Sequence, residues 1–293
     1  DKAGEFDPVV KSGRTHLQDA VPLRLGQEFG AYATSMRKHG EAIRRAAESS
    51  LELGIGGTAV GTGVNAHPRY RPLMVRQLSR QTGIDFRECD DYFEAMQSLR
   101  PFVELSGAVR ALAQDLIRIA NDLRLLGSGP KTGLAEIRLP ERQPGSSIMP
   151  GKVNPVMAEM LDMVCFHVIG CDSTILLAAQ AGQLELNVMM PVVAHDLLHA
   201  ISILTNALGV FGRFCLAGIR ADPERCRRYA ESSMSVVTAL NPHIGYAAAA
   251  EVAREYLESG DSIRDIVLRR GLIPADRIDG ILELEKMTEP GIK

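Results

Sequence analysis

An elongated, all-α bundle of long helices with a small helical C-terminal domain is the fold this 293-residue sequence predicts. Three observations carry it. Apolar residues recur alternately three and four positions apart over stretches of about twenty residues, no alternating strand pattern of useful length occurs, and glycine and proline gather in two long loops. Strands are therefore expected to be few or none.

The stripes come in chain order. Leu25, Phe29, Tyr32, Met36 and Ile43 mark a first helix, with one polar gap. Leu105, Val109, Leu112, Leu116, Ile119, Leu123 and Leu126 lie on one face of a second. Val164, Val168, Cys171, Ile175 and Ala178 define a third, and Leu197, Ile201, Leu204, Leu208, Phe211 and Cys215 a fourth. A repeat averaging 3.5 residues packs helices at shallow angles, and rods of this length run to about 30 to 45 Å. Glycines such as Gly30, Gly107 and Gly170 allow close approach. So many apolar faces on so few helices predict an oligomer. After "LAGIRADPERC" the pattern shortens, with breaks at Asn241-Pro242 and Gly271 to Pro274, so two domains are expected, 1–216 and 217–293.

Composition narrows the partners. A hydrophobic content of 45%, a net charge of −3 and a pI near 6.2 describe a globular chain without the basic field of a nucleic-acid binder. No apolar run reads as long enough to cross a bilayer, which sets a membrane partner aside. A small molecule or another protein chain remains. The five cysteines form no C-x-x-C pair and mostly sit in apolar helical patterns, as core residues of a reducing, cytoplasmic compartment would. The sequence opens at Asp1 without methionine or presequence, and a further segment is expected upstream.

Two Gly/Pro-rich loops, 54–70 and 127–155, stand out against the helices, and loops of that length usually carry function. In "GSSIMPGKVNP" (145–155) five residues separate Gly145 from Gly151 and valine follows Lys152, which is not a phosphate-binding loop. The serine elbow Gly-x-Ser-x-Gly also fails, because Ile148 and Met149 follow Ser147. No His/Asp/Glu set has metal-ligand spacing. What is left is two hydroxyls, an ammonium and an amide on a hinged loop, ahead of a helix whose first turns include Glu159. Such donors suit a carboxylate, and such a loop suits a lid. The residues alone leave open a plain linker with Asn154 as helix cap and Lys152 in solvent. "GRTHLQDAVP" (13–22) places Thr15 and His16 just before a long helix. That histidine could be a capping residue, unless a carboxylate such as Glu159 holds its imidazole in one tautomer.

These segments resemble the fumarase/aspartase superfamily, in the branch of aspartate ammonia-lyase and class II fumarase. "GSSIMPGKVNP" looks like its signature, and "GRTHLQDAVP", "GTAVGTGVN", "ANDLRLLGSGP", "LELNVMMP" and "TALNPHIGY" like further segments in family order, from about residue 11 to the C-terminus. The resemblance implies a homotetramer with a shared helical bundle and active sites built from three subunits. It implies Ser146 as general base, Lys152 and Asn154 on one substrate carboxylate, and Thr15, His16 and Ser147 around the carboxylate that becomes the aci-acid. It implies that Glu159 pairs with His16. The family's first active-site segment should precede Asp1, so part of the site is expected elsewhere.

By this resemblance the activity is reversible elimination of ammonia from L-aspartate to fumarate, with dehydration of L-malate as the alternative. "FEAMQS" and "QLELNVMMP" look closer to the ammonia-lyases, whereas "VELSGA" and "TALNPHIGY" fit fumarases too. No cofactor and no metal are expected. A catalytically silent helical scaffold is the reading from another class.

Overall fold

The computed structural model describes residues 1–145 and 148–292; Ser146 and Ser147 lie outside the described residues. Helices run in the order α1 (Lys2–Glu5), α2 (Leu25–Glu48), α3 (Tyr70–Thr82), α4 (Tyr92–Gln97), α5 (Arg100–Leu126), α6 (Val156–Gln180) and α7 (Met190–Phe214). They continue with α8 (Pro223–Ser232), α9 (Asn241–Ser259), α10 (Ile263–Arg269), α11 (Ala275–Ile281) and α12 (Leu284–Met287). The all-α expectation holds, with short additions. Strands β1 (Val10–Thr15) and β2 (Gln18–Arg24) form an antiparallel hairpin, β3 (Glu52–Leu53) and β4 (Arg87–Glu88) a parallel pair, and β5 (Ile137–Arg138) and β6 (Arg220–Ala221) an antiparallel pair.

Two compact units interleave along the chain, residues 1–33, 125–140 and 216–293 in one and residues 34–124 and 141–215 in the other. The sequence places one boundary near 217; the contacts place one at 216 and others at 34, 125 and 141.

The second unit holds all of α6 and α7 and most of α2 and α5. At 24 to 27 residues these helices are rods of about 36 to 40 Å. Along α6 the residues Leu161, Cys165, Val168, Cys171, Ile175 and Ala178 are buried, and along α7 Val193, Leu197, Ala200, Leu204, Ala207 and Phe211. Ile201, expected on that stripe, is 37% exposed instead, because alanines at 200 and 207 take the positions facing the neighbour.

One expectation needs correction. α6 and the stretch 190–218 reach mean hydropathies of 1.6 and 1.5 over 18 residues, long and apolar enough to cross a bilayer by length and composition. The reason is that each carries a second apolar face. Met163, Phe166, Leu176 and Leu177 on α6 and Leu198 on α7 are all more than half exposed, on the side away from the buried stripe.

The first unit has its own core. Val236, Leu240, Val252, Ile263, Ile266, Ile278 and Ile281 bury against Val10 and Ala230. Asp222 starts α8 by accepting from the Arg225 N–H, and Ser262 starts α10 by accepting from that of Asp265.

Candidate active site

"GRTHLQDAVP" folds as a hairpin, not as a lead into a helix. His16 and Leu17 form its two-residue turn with φ of 53° and 60°, the positive angles that match the twist of paired strands. The sequence hides this turn, since neither residue is glycine or asparagine. Thr15 and His16 are therefore displayed at an exposed tip, and Leu17 beside them is 70% exposed.

The loop after Gly145 is closed at its neck. Asn154 Nδ2 donates to the Gly145 carbonyl at 2.7 Å, and the Gly145 Cα packs so tightly that a Cβ there would lie 1.7 Å from the Lys152 carbonyl oxygen. The Asn154 side chain is thus engaged with the loop and does not cap the helix; Pro155 stands at the N-cap of α6 without a side-chain cap bond. Lys152 is exposed and, among the described residues, has no ion-pair partner. Lys152, Gly151 and Gly145 line an open cavity of about 520 Å³ together with Arg142 and Glu141. Arg142 is fixed there by donating Nε–H to the Phe214 carbonyl at 2.6 Å. Two cations against one carboxylate make this cavity suited to an anion. Another cavity, of about 490 Å³, lies against the C-terminal helices, but its Arg227 and Arg264 are already paired with Glu231, Glu285 and Asp279.

Glu159 sits in the first turn of α6, where a carboxylate complements the helix dipole. Arg124 of α5 reaches it at 3.5 Å and also lies 3.2 Å from Asp162, one turn further on. Asp162 is buried and its Oδ1 has no hydrogen-bond partner. Burial pushes its carboxyl above the usual aspartate range, only partly offset by Arg124. Sequence reasoning missed both Arg124 and Asp162, because their link to Glu159 depends on two helices lying side by side. Glu159 and His16 belong to different compact units.

The loop 54–69 is held in a conformation that most residues avoid. Thr58, Ala59 and Asn65 have positive φ alongside Gly56, Gly61 and Gly63. Arg71 secures it, donating to the carbonyls of Gly56 at 3.1 Å and Gly61 at 3.0 Å while stacking 3.6 Å over the Tyr92 ring. Strain of this kind is kept where the surroundings over-determine it, often at functional sites. Among the described residues no group of three or more His, Cys, Asp or Glu side chains is arranged to hold a metal ion.

The chain combines long helices, a Gly/Pro-rich loop ahead of a glutamate-bearing helix, and an exposed hairpin tip that carries Thr15 and His16. Residues 1–170 match the family described as Lyase, and residues 236–289 match fumarase C C-terminus; the chain belongs to the lyase family. Over 291 residues it is 50% identical to the aspartate ammonia-lyase of Bacillus subtilis, covering 99% of this chain and 61% of that protein. Over 292 residues it is 45% identical to the enzyme of the same name from Escherichia coli K12, covering 100% and 61%. A fumarate lyase:delta crystallin from Brucella melitensis, solved bound to cobalt, superposes with a TM-score of 0.94 at 44% identity, over 99% of this chain and 63% of that one. A class II fumarase from Schistosoma mansoni gives 0.93 at 35%, over 98% and 63%. The chain thus spans about three fifths of the length of the curated relatives it matches.

Proposed function

We propose that the chain is the larger part of an aspartate ammonia-lyase, acting reversibly on L-aspartate to give fumarate and ammonia. The observation that carries this reading is the 45 to 50% identity to aspartate ammonia-lyases over essentially the whole chain, against 35% to a class II fumarase. The fumarase C-terminal match keeps dehydration of L-malate as the alternative.

The chemistry explains the residues. A C–H bond beside an ionised carboxylate is barely acidic, and breaking it creates a dianion that water stabilises too little. Ser146, acting as its alkoxide, takes that proton and becomes the neutral hydroxyl; the C–H electron pair passes into the aci-carboxylate, then forms the C=C bond as the C–N bond breaks and the ammonium group leaves as ammonia. Thr15, His16 and Ser147 surround the aci-carboxylate, Lys152 and Asn154 hold the other carboxylate, and Glu159 orients His16. Each well-placed donor contributes about 3 to 4 kcal/mol to holding the charge, so several are required. Lys152, which has no ion-pair partner among the described residues, the cavity beside it and the closed neck at Gly145 support the clamp. The exposed second faces of α6 and α7 support burial against other chains, as the homotetramer with shared sites implied by the resemblance requires, and five buried free thiols fit the cytoplasm.

The test is turnover of L-aspartate and of L-malate, followed separately by fumarate absorbance with the full-length protein. Activity on aspartate is expected, falling about 10²- to 10⁴-fold on Ser146→Ala. Turnover of malate alone overturns the substrate, and an active alanine variant overturns the base.

A further inference from the structure

Beneath the hairpin tip lies a charged cluster that the proposed reaction does not use directly. Glu136 is fully buried, an unusual place for a carboxylate. Arg14 donates to its Oε1 at 2.9 Å, and the Lys11 ammonium lies 3.2 Å from Oε2. That second contact is an ion pair without hydrogen-bond geometry, so Oε2 accepts no hydrogen bond. Lys11 also donates to Glu28 at 2.8 Å, and Glu28 accepts from the Tyr32 hydroxyl at 3.0 Å. Two cations thus meet two carboxylates, and the cluster is neutral.

Its geometry is specific. Residues 11 and 14 of a regular strand point to opposite faces of the sheet. Here the register shifts between Ser12 and Gly13, leaving Val21 unpaired, and the extra twist of that bulge lets both long side chains reach one carboxylate. Gly13 is required at this point, since a Cβ would lie 2.6 Å from the Val21 carbonyl oxygen. On the other side, the Glu136 carbonyl accepts from the Asp222 N–H at 2.8 Å, and Ile137 and Arg138 pair with β6. The segment that carries Glu136 is therefore held at both its backbone and its side chain. It leads in sequence to Gly145, nine residues on.

Burying such a cluster is a poor way to gain stability, because desolvation offsets most of the attraction and apolar residues of similar volume do as well. What it does provide is a fixed register. We propose that Glu136 is a positioning residue: through Lys11 and Arg14 it locks the hairpin whose turn presents Thr15 and His16, and ties it to the segment that runs into the 145–155 loop. This deepens the lyase reading and rests on it.

The experiment compares Glu136→Gln, Arg14→Met, Arg14→Lys and His16→Asn in the full-length protein, measuring kcat, KM and thermal midpoint on L-aspartate. Arg14→Met leaves Glu136 paired with Lys11 and so keeps the variant folded even where Glu136→Gln does not fold. At 25 °C Arg14→Met is expected to lower kcat at least tenfold, and Arg14→Lys to recover most of it. If Arg14→Met and Glu136→Gln move only the midpoint, with kcat and KM within twofold, while His16→Asn is impaired, the cluster is structural and the proposal is overturned. If His16→Asn is fully active, the placement of the hairpin in the site is what fails.

Discussion

The side-chain amide of Asn154 holds the carbonyl of Gly145 at 2.7 Å, pinching the loop 145–154 shut at its base. A methyl group on Gly145 would sit 1.7 Å from the Lys152 carbonyl oxygen, a clash with backbone that no rotamer relieves. Gly145→Ala should therefore force the neck open and displace Lys152 and Asn154 together. On the proposed lyase reading, the full-length protein is expected to lose at least a hundredfold in kcat/KM on L-aspartate, about 2.7 kcal/mol or more, with the thermal midpoint nearly unchanged because the loop is exposed. A variant retaining more than a tenth of wild-type kcat/KM would show that the neck does not organise the clamp.

Asp162 carries a different consequence. Its folded-state carboxyl lies above the unfolded value because burial outweighs Arg124, so the protein is penalised when Asp162 ionises. Any stability it contributes is fully present below the unfolded value near 3.9 and is lost as pH rises through the raised folded value. Asp162→Asn removes that ionisation. At pH 7.5 the asparagine variant should be as stable as wild type or more so in chemical denaturation, with the difference shrinking toward pH 4. A loss beyond about 2 kcal/mol at pH 7.5 would mean that the Arg124 pair outweighs the burial.

The helices were legible because their apolar positions repeat within one element. Leu123 and Ile175 are buried as the stripes and their spacing imply. The hairpin was not legible. Its turn is His16-Leu17 rather than Asn-Gly, Pro22 lies inside β2, and the bulge at Val21, opposite Ser12 and Gly13, breaks the alternation that marks a strand. Nothing in the sequence distinguishes Glu136 from other loop carboxylates, since its partner Arg14 lies 122 positions away. For the site, the ammonium and amide that the loop carries at Lys152 and Asn154 are legible as residue types, whereas the Arg124 bridge to Glu159 and Asp162 depends on the packing of α5 against α6. The second apolar face of α6 was hidden by its first. A helix hydrophobic on both sides gives a weaker periodic signal than one hydrophobic on one side.

All five cysteines are buried and unpaired. Burial pushes the thiols of Cys165 and Cys226 up to about 12 and that of Cys215 up to about 11; Cys89 and Cys171 shift the same way. Thiolate, the reactive form, is therefore scarce at pH 8. Titration of the native protein with a chromogenic disulfide should release less than one thiol per chain over the minutes in which the denatured protein releases all five. Rapid reaction of two or more in the native state would contradict the burial.

Arg71 is the residue on which the strained loop depends. It donates to the carbonyls of Gly56 and Gly61 and stacks on Tyr92, whose hydroxyl donates to Glu88 at 2.9 Å. Burial first, then the bond to Glu88, push the Tyr92 phenol up to about 12, with Arg71 pulling the other way. Arg71→Met removes two charge-assisted hydrogen bonds and a cation–π contact and should destabilise the protein by about 1 to 3 kcal/mol. Arg71→Lys keeps the charge but not the planar fork that spans both carbonyls, and should recover less than half of that. The phenol gives an independent readout. Its pKa is raised on folding, so its contribution to stability is fully present below pH 10 and is lost as pH rises from about 10 toward 12. In the methionine variant the positive charge is gone, and ultraviolet titration of the folded protein should find Tyr92 ionising at still higher pH. A downward shift, or stability equal to wild type, would show that Arg71 is not what holds loop 54–69 against the Tyr92 ring.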